Sequence, residues 1–203
     1  MAKQTPANDL PGNHPDPPVD LRPEDLITVK QSGPWYRLNS IQHESAIYFD
    51  RSGWGRFDGP DQSYGILYLG EDIHTCFIEC FGRTHTKAVE EIELKRRNLF
   101  EIKSERPLKF AKLSGEGLVR LGADSRITTG NYAQARKWVE AIWTLEQQIE
   151  GVCYRSRIDN DRFCYGIFDR ATPYLREKNL GNLVDYSPND LSQILYEYDY
   201  GLL

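Results

Sequence analysis

Long apolar runs, cysteine, methionine and surplus positive charge are all scarce in these 203 residues. No stretch approaches the roughly 20 apolar residues that cross a bilayer. The N-terminus has no apolar core of a secretory signal, and no lipidation pattern opens or closes the chain. Four cysteines are too few for a disulfide-built scaffold, so a reduced, cytoplasmic protein is expected. With 25 Lys and Arg against 30 Asp and Glu, the net charge is −5. That disfavours a global polyanion binder, nucleic acid above all, and leaves room for a local basic cleft. There is no internal repeat, no G-x-S-x-G elbow, no P-loop and no G-x-G-x-x-G after a strand.

Aromatic residues are plentiful: 12 Tyr, 8 Phe and 4 Trp supply bulky core pieces. Six prolines fall within residues 1–23 beside almost no large apolar side chains. Such a stretch cannot bury enough surface to offset its ordering, so residues 1–24 read as a Pro-rich flexible arm and residues 25–203 as a single domain.

Within that domain, Leu26–Val29, Trp35–Leu38 and Ala46–Phe49 read as short strands. A turn-rich loop, residues 52–60, precedes a buried strand at Gly65–Leu69. Ile73, Cys76, Phe77, Cys80 and Phe81 then recur at helical spacing, with Glu71 and Asp72 supplying an acidic first turn. Asn98–Lys103 and Leu108–Leu113 look like a strand pair around a Glu105-Arg106-Pro107 turn. The strongest helix spans Tyr132 to Ile149, with Trp138, Val139 and Ile142 on its apolar stripe. Strands at 152–158 and 163–168 follow, and Ser187 and Pro188 open a last helix. Strands and helices alternate without a βαβ rhythm, which favours α+β with mixed or antiparallel sheets and flanking helices.

Few residues announce chemistry by themselves. His74, Cys76, Cys80 and His85 have a zinc-like spacing, yet Cys76 and Cys80 sit on an apolar stripe where a thiol acts as a small hydrophobe. Cys153 and Cys164 lie within strand patterns. Glu79 lies off the apolar stripe of its helix and reads alone as a solvated carboxylate. Arg56 alone reads as decoration on a Gly-rich turn, and Tyr68 as a strand aromatic. Ser156 shares the apolar face of its strand with Val152 and Tyr154, and there a hydroxyl requires a hydrogen-bond partner or a ligand.

In order along the chain, Trp35-Tyr36-Arg37-Leu38, Gly55-Arg56-Phe57-Asp58, Ile66-Leu67-Tyr68-Leu69, Phe77-Ile78-Glu79-Cys80 and Gly151-Val152-Cys153-Tyr154-Arg155-Ser156 together resemble the RES domain, the toxin half of RES–Xre toxin–antitoxin pairs. The resemblance runs from about residue 35 to 170. It implies a fold related to ADP-ribosyltransferases and a bacterial toxin that consumes NAD⁺. By position, Arg37, Arg56, Tyr68 and Glu79 would line the NAD⁺ cleft, and Ser156 would be the serine of the name. Asp58 stands where the family usually has Asn or His, which would add negative charge near the diphosphate. Arg155 replaces a Pro or small residue.

These residue types suit the chemistry the resemblance implies. Nicotinamide leaves NAD⁺ as a neutral molecule, so no general acid is required and one carboxylate suffices. Glu79 would stabilise the oxocarbenium-like charge at the anomeric carbon. Arg37 and Arg56 would hold the diphosphate. Tyr68 would pack on the nicotinamide or orient the ribose, and Ser156 would bond the carboxamide or hold Glu79. Cleavage with water or phosphate as acceptor is the leading reading. Transfer of ADP-ribose onto a protein is the alternative, and a catalytically weak domain that binds antitoxin or nucleotide is a third. NAD⁺ is the expected substrate, with no metal. An Xre-type antitoxin is the implied partner, with no direct nucleic-acid or membrane binding.

Overall fold

A computed structural model describes residues 14–84, 86–145 and 148–203. The first thirteen residues of the expected arm, and His85 of the zinc-like set, lie outside the described residues. Strands β1 (Thr28–Gln31), β2 (Trp35–Ser40) and β3 (Ile66–Gly70) precede helix α1 (Ile73–Phe81). Next come β4 (Ala88–Val89), α2 (Glu91–Lys95), β5 (Arg97–Ser104) and β6 (Leu108–Leu113). Helices α3 (Glu116–Leu121), α4 (Arg126–Thr129) and α5 (Tyr132–Leu145) lead to β7 (Gly151–Arg155) and β8 (Phe163–Phe168). The chain ends in β9 (Leu175–Gly181), α6 (Leu183–Tyr186), α7 (Pro188–Glu197) and β10 (Gly201–Leu202).

Eight strands form one sheet in the order β1-β6-β7-β8-β3-β2-β5-β9, antiparallel throughout except for β6 beside β7. The fold is therefore α+β, a single domain with a large, mostly antiparallel sheet and flanking helices. The expected pairing of the strand at 98–103 with that at 108–113 is not formed. Their partners are β2 and β9 for the first, and β1 and β7 for the second.

The physical reason is that the sheet curls over on itself. In a flat sheet β5 and β6 would stand five strand spacings apart, about 24 Å. The three residues between them reach only about 14 Å. The same limit applies to β1 and β2, joined by residues 32–34. Ser104 N donates to Ser32 O at 2.9 Å, which ties the two short connections together. Trp35 of β2 accordingly meets Phe110 of β6 edge to face, with ring centroids 5.6 Å apart, and Tyr165 of β8 at 5.6 Å. With Leu67, Ile102, Leu108 and Ile167 these rings fill the space inside the curl.

The ladder is thinnest between β2 and β3. Strands β2 and β3 share a single register pair, Tyr36 opposite Gly70. Helix α1 lies against both strands there, so close that a Cβ on Gly70 would stand 2.9 Å from Thr75 Cβ. Glu71 and Asp72 precede the first turn rather than forming it: Asp72 caps α1 by accepting from Thr75 N at 2.7 Å, and Gly82 follows its last turn. Phe77 and Ile78 pin the helix through a core shared with Leu191 and Ile194.

Other local expectations shift for local reasons. Residues 46–49 form no strand, because side chains have taken their backbone groups. Arg37 Nη1 donates to Ala46 O and Tyr48 O, and Glu177 Oε2 accepts from Ala46 N and Ile47 N. The strand expected at 152–158 stops at Arg155, where a turn begins. Helix α5 is described to Leu145, and Ile149 is buried beyond it. Ser187 bonds the Asp190 carboxylate rather than capping a backbone N–H. Of the stretch read as an arm, residues 15 and 16 are held against α5: Trp138 Nε1 donates to Pro15 O at 2.9 Å, and Lys137 pairs with Asp16 at 2.8 Å.

Trp35→Ala removes the central ring of the curl and should cost about 3–5 kcal/mol. Urea unfolding followed by far-UV circular dichroism would measure this, and a loss below about 1 kcal/mol would contradict the packing described.

Candidate active site

A cleft opens at the thin seam between β2 and β3. One hollow, of about 220 Å³, is lined by Tyr36 and Arg37 of β2, Tyr68 of β3, and Cys76 and Glu79 of α1. An adjoining hollow of about 330 Å³ is lined by Trp54, Arg56, Tyr68, Glu79, Tyr132 and Arg157. Tyr68, Glu79, Arg83 and Tyr154 belong to both, so the two are parts of one cleft with Glu79 at the join.

Glu79 sits on the second turn of α1, on the side away from its apolar stripe. Its side chain is 28 % exposed. Oε1 accepts from Ser156 Oγ at 2.6 Å, and Cys164 Sγ lies 3.9 Å from the same oxygen. Oε2 faces Arg83 Nη2 at 3.5 Å, a loose and largely exposed contact. Ser156 does not line the cleft. It lies beneath Glu79, 2 % exposed, and accepts from the backbone N–H groups of Ile158 and Asp159, each at 3.1 Å. A hydroxyl has two lone pairs and one proton, so this one is saturated and its proton points at Glu79.

The arginines are held by carbonyl oxygens. Arg37 bonds through Nη1 to the two carbonyls of the irregular loop. Arg56 Nη1 donates to Gly130 O at 2.8 Å, and its guanidinium lies 4.3 Å from the centre of the Tyr132 ring. Burial lowers the pKa of both, although a guanidinium stays charged at neutral pH. Among the described residues neither has a carboxylate within 4 Å. Two partly desolvated cations outside any direct ion pair favour an anionic ligand, although Asp50 and Glu177 lie near enough to Arg37 to act on it electrostatically.

Tyr68 and Asp58 form a buried brace for the loop that carries Arg56. The Tyr68 hydroxyl donates to Asp58 Oδ1 at 2.8 Å and accepts from Phe57 N at 2.9 Å, while Asp58 Oδ2 accepts from Gly55 N at 2.7 Å. A Cβ on Gly55 would stand 2.2 Å from Asp58 Oδ1, so only glycine permits this closure. Asp58 is fully buried and does not line either hollow, so the charge expected near the diphosphate is turned inward. Arg155 also points elsewhere, with Nη1 on Asp161 O and its guanidinium 3.8 Å from the centre of the Phe163 ring. Cys76, Cys153 and Cys164 are buried and Cys80 is partly so, and burial raises the pKa of all four thiols.

Residues 34–187 match the family described as the RES domain. This chain belongs to the RES domain family. A curated relative, the "Probable toxin y4kH" of Sinorhizobium fredii (strain NBRC 101917 / NGR234), is 28 % identical over 111 residues, covering 52 % of this chain and 83 % of the relative. Among solved structures, a chain from the crystal structure of the M. tuberculosis MbcT-MbcA toxin-antitoxin complex aligns with a TM-score of 0.57 at 17 % identity. That alignment covers 76 % of this chain and 87 % of the other, and it shows a shared fold. No helix among the described residues is long and apolar enough to cross a membrane.

Within this RES domain the structure brings Arg37, Arg56, Tyr68 and Glu79 to one cleft, with Ser156 under the carboxylate. Sequence reasoning missed Arg83, Trp54, Tyr132, Tyr154 and Arg157 as cleft residues. Two carried a usable signal: Arg83 follows Glu79 by four residues, one helical turn, and Tyr154 shares the strand face assigned to Ser156. The other three come from separate loops and helix ends that only the fold places together.

The phenols of Tyr64, Tyr68, Tyr154 and Tyr165 are all raised in pKa, chiefly by burial, and for Tyr68 also by Asp58. Unfolded tyrosine releases its proton near pH 10, whereas these folded phenols retain theirs. Their contribution is therefore complete below about pH 10 and falls as pH rises past it. The urea midpoint should drop between about pH 8 and about pH 10.5, and Tyr68→Phe should shrink that drop while lowering the midpoint at pH 8. A wild-type midpoint that does not change with pH over this range would contradict the burial of these hydroxyls.

Proposed function

We propose that this RES domain is a toxin that cleaves the bond between nicotinamide and ribose in NAD⁺, with water or phosphate as acceptor. One observation carries the reading: the carboxylate of Glu79 stands at the join of a cleft whose two hollows are lined by the cations Arg37 and Arg56. The donor set suits a dinucleotide, because forked guanidiniums match a diphosphate and aromatic walls match flat bases.

In this reading the glycosidic C–N bond breaks with its electron pair passing to the pyridinium nitrogen, and nicotinamide leaves neutral. No proton donor is required at that step, so Glu79 acts without a general-acid partner, and Asp50, which also lines the hollow beside Arg56, need not donate a proton. Glu79 stabilises the cationic sugar electrostatically. With Oε1 held by Ser156, Oε2 is the oxygen presented to a ribose hydroxyl. The acceptor oxygen then bonds to the anomeric carbon and its proton is released.

Ser156 serves as the support of Glu79 rather than as a ligand to the carboxamide, because its hydrogen-bonding capacity is already used. Tyr68 contributes its ring face, since its hydroxyl is committed to Asp58 and Phe57. Arg37 and Arg56, neither of them in a direct ion pair among the described residues, supply the positive charge that holds the diphosphate. Family membership and the toxin-antitoxin complex that shares this fold support a cytoplasmic toxin with a protein antitoxin, of Xre type by family, covering the cleft.

Proton NMR of NAD⁺ with wild type and with Glu79→Gln tests the reading. Wild type should release free nicotinamide, and the variant should be slower by a factor on the order of a thousand with its fold intact. ADP-ribose phosphate formed only when phosphate is present would name phosphate as acceptor, and a mass-shifted protein would name a transferase. A Glu79→Gln variant as fast as wild type would overturn the assignment.

A further inference from the structure

Glu79 and Ser156 are 77 residues apart in sequence, yet their side chains meet at 2.6 Å. The contact joins two independent pieces of chain, α1 and the turn 156–162 that follows β7. Neither side chain fixes that distance by itself. Something must hold the turn against the helix.

The turn is closed by Arg162. Ser156 N donates to Arg162 O at 2.9 Å, and Arg162 N donates to Asp159 O at 3.1 Å. From this point the Arg162 guanidinium reaches three carboxylates on three segments. Nη1 donates to Asp72 Oδ2 at 2.5 Å, Nε to Asp159 Oδ2 at 3.4 Å and Nη2 to Glu197 Oε1 at 2.7 Å. Each carboxylate has a second attachment. Asp72 Oδ1 accepts from Thr75 N and Thr75 Oγ at the start of α1, both at 2.7 Å. Asp159 Oδ2 also accepts from the Tyr198 hydroxyl at 2.7 Å, and Glu197 Oε2 lies 2.9 Å from His74 Nδ1.

Both ends of this arrangement lead to the Glu79–Ser156 contact. Asp72 caps the helix that carries Glu79 seven residues on, about 10 Å along its axis. Asp159 supplies one of the two N–H groups that anchor Ser156 Oγ. We infer that Arg162 is a positioning residue for NAD⁺ cleavage, clamping the cap of α1 to the turn that carries Ser156 and so setting the Glu79–Ser156 contact. This deepens the reading of the same site and rests on it. The role needs a fork: three acceptors in different directions match a planar guanidinium and not the point charge of lysine.

Arg162→Lys, which keeps the charge and loses the fork, is the primary test. Its kcat for nicotinamide release should fall on the order of tenfold while KM stays within about twofold, because Arg162 does not line the cleft. Arg162→Met should lose more activity. Should it fail to fold in urea and circular dichroism controls, because three carboxylates lose their shared cation, Arg162→Lys still decides. In a Ser156→Ala background Arg162→Lys should cost less than about twofold further, since the contact it maintains is already gone. Losses that multiply independently, a rise in KM alone, or wild-type kcat in Arg162→Lys would overturn the role of Arg162. No nicotinamide from the wild type in the same series would instead overturn NAD⁺ cleavage itself, and this inference with it.

Discussion

The single register pair between β2 and β3 governs the rest of the molecule. Two three-residue connections are too short to link their strands across a flat sheet, so the sheet curls, and its ladder is weakest between β2 and β3. At a full ladder the backbone groups of both strands would be consumed by each other, leaving no opening. At the seam, α1 lies across the gap and brings a carboxylate to it. The aromatic core inside the curl, built on Trp35 and Phe110, stabilises the bend that creates the cleft. Packing and site are thus two sides of one geometric constraint.

Around that cleft, charges of opposite sign are treated differently. The carboxylates of Asp58, Asp72 and Asp159 are engaged by protein donors and serve as braces, caps and clamps. Among the described residues the guanidiniums of Arg37 and Arg56 bond to carbonyl oxygens, and Arg56 also covers a ring, with no carboxylate within 4 Å of either. This asymmetry lets a chain of net charge −5 present a locally cationic cleft. Glu79 is the exception, a carboxylate held on one oxygen by a buried hydroxyl while the other faces the cleft. A buried serine with both lone pairs engaged orients that carboxylate without competing for a ligand.

Local patterns made much of this legible. The apolar spacing of α1, the apolar stripe of α5 and the strands at β3, β6 and β8 follow from periodicity and punctuation, which act over one or two turns of chain. The ordered tetrapeptides around Arg37, Arg56, Tyr68, Glu79 and Ser156 pointed to the RES domain. Residues 46–49 read as a strand and are not one, because Arg37 and Glu177, distant in sequence, satisfy their backbone groups. Likewise Asp58 read as a cleft charge until Gly55 and Tyr68 were seen to enclose it.

The sequence by itself determined the class of fold, the family and the residue types available for chemistry, since these depend on composition, local periodicity and short motifs. Only the tertiary structure decided which strands pair across the curl, that Ser156 supports Glu79 from below, and that Arg162 joins their two segments. Those facts rest on contacts between side chains as many as 90 residues apart. Such contacts arise from chain reach, burial and hydrogen-bond capacity, which leave no periodic trace in sequence.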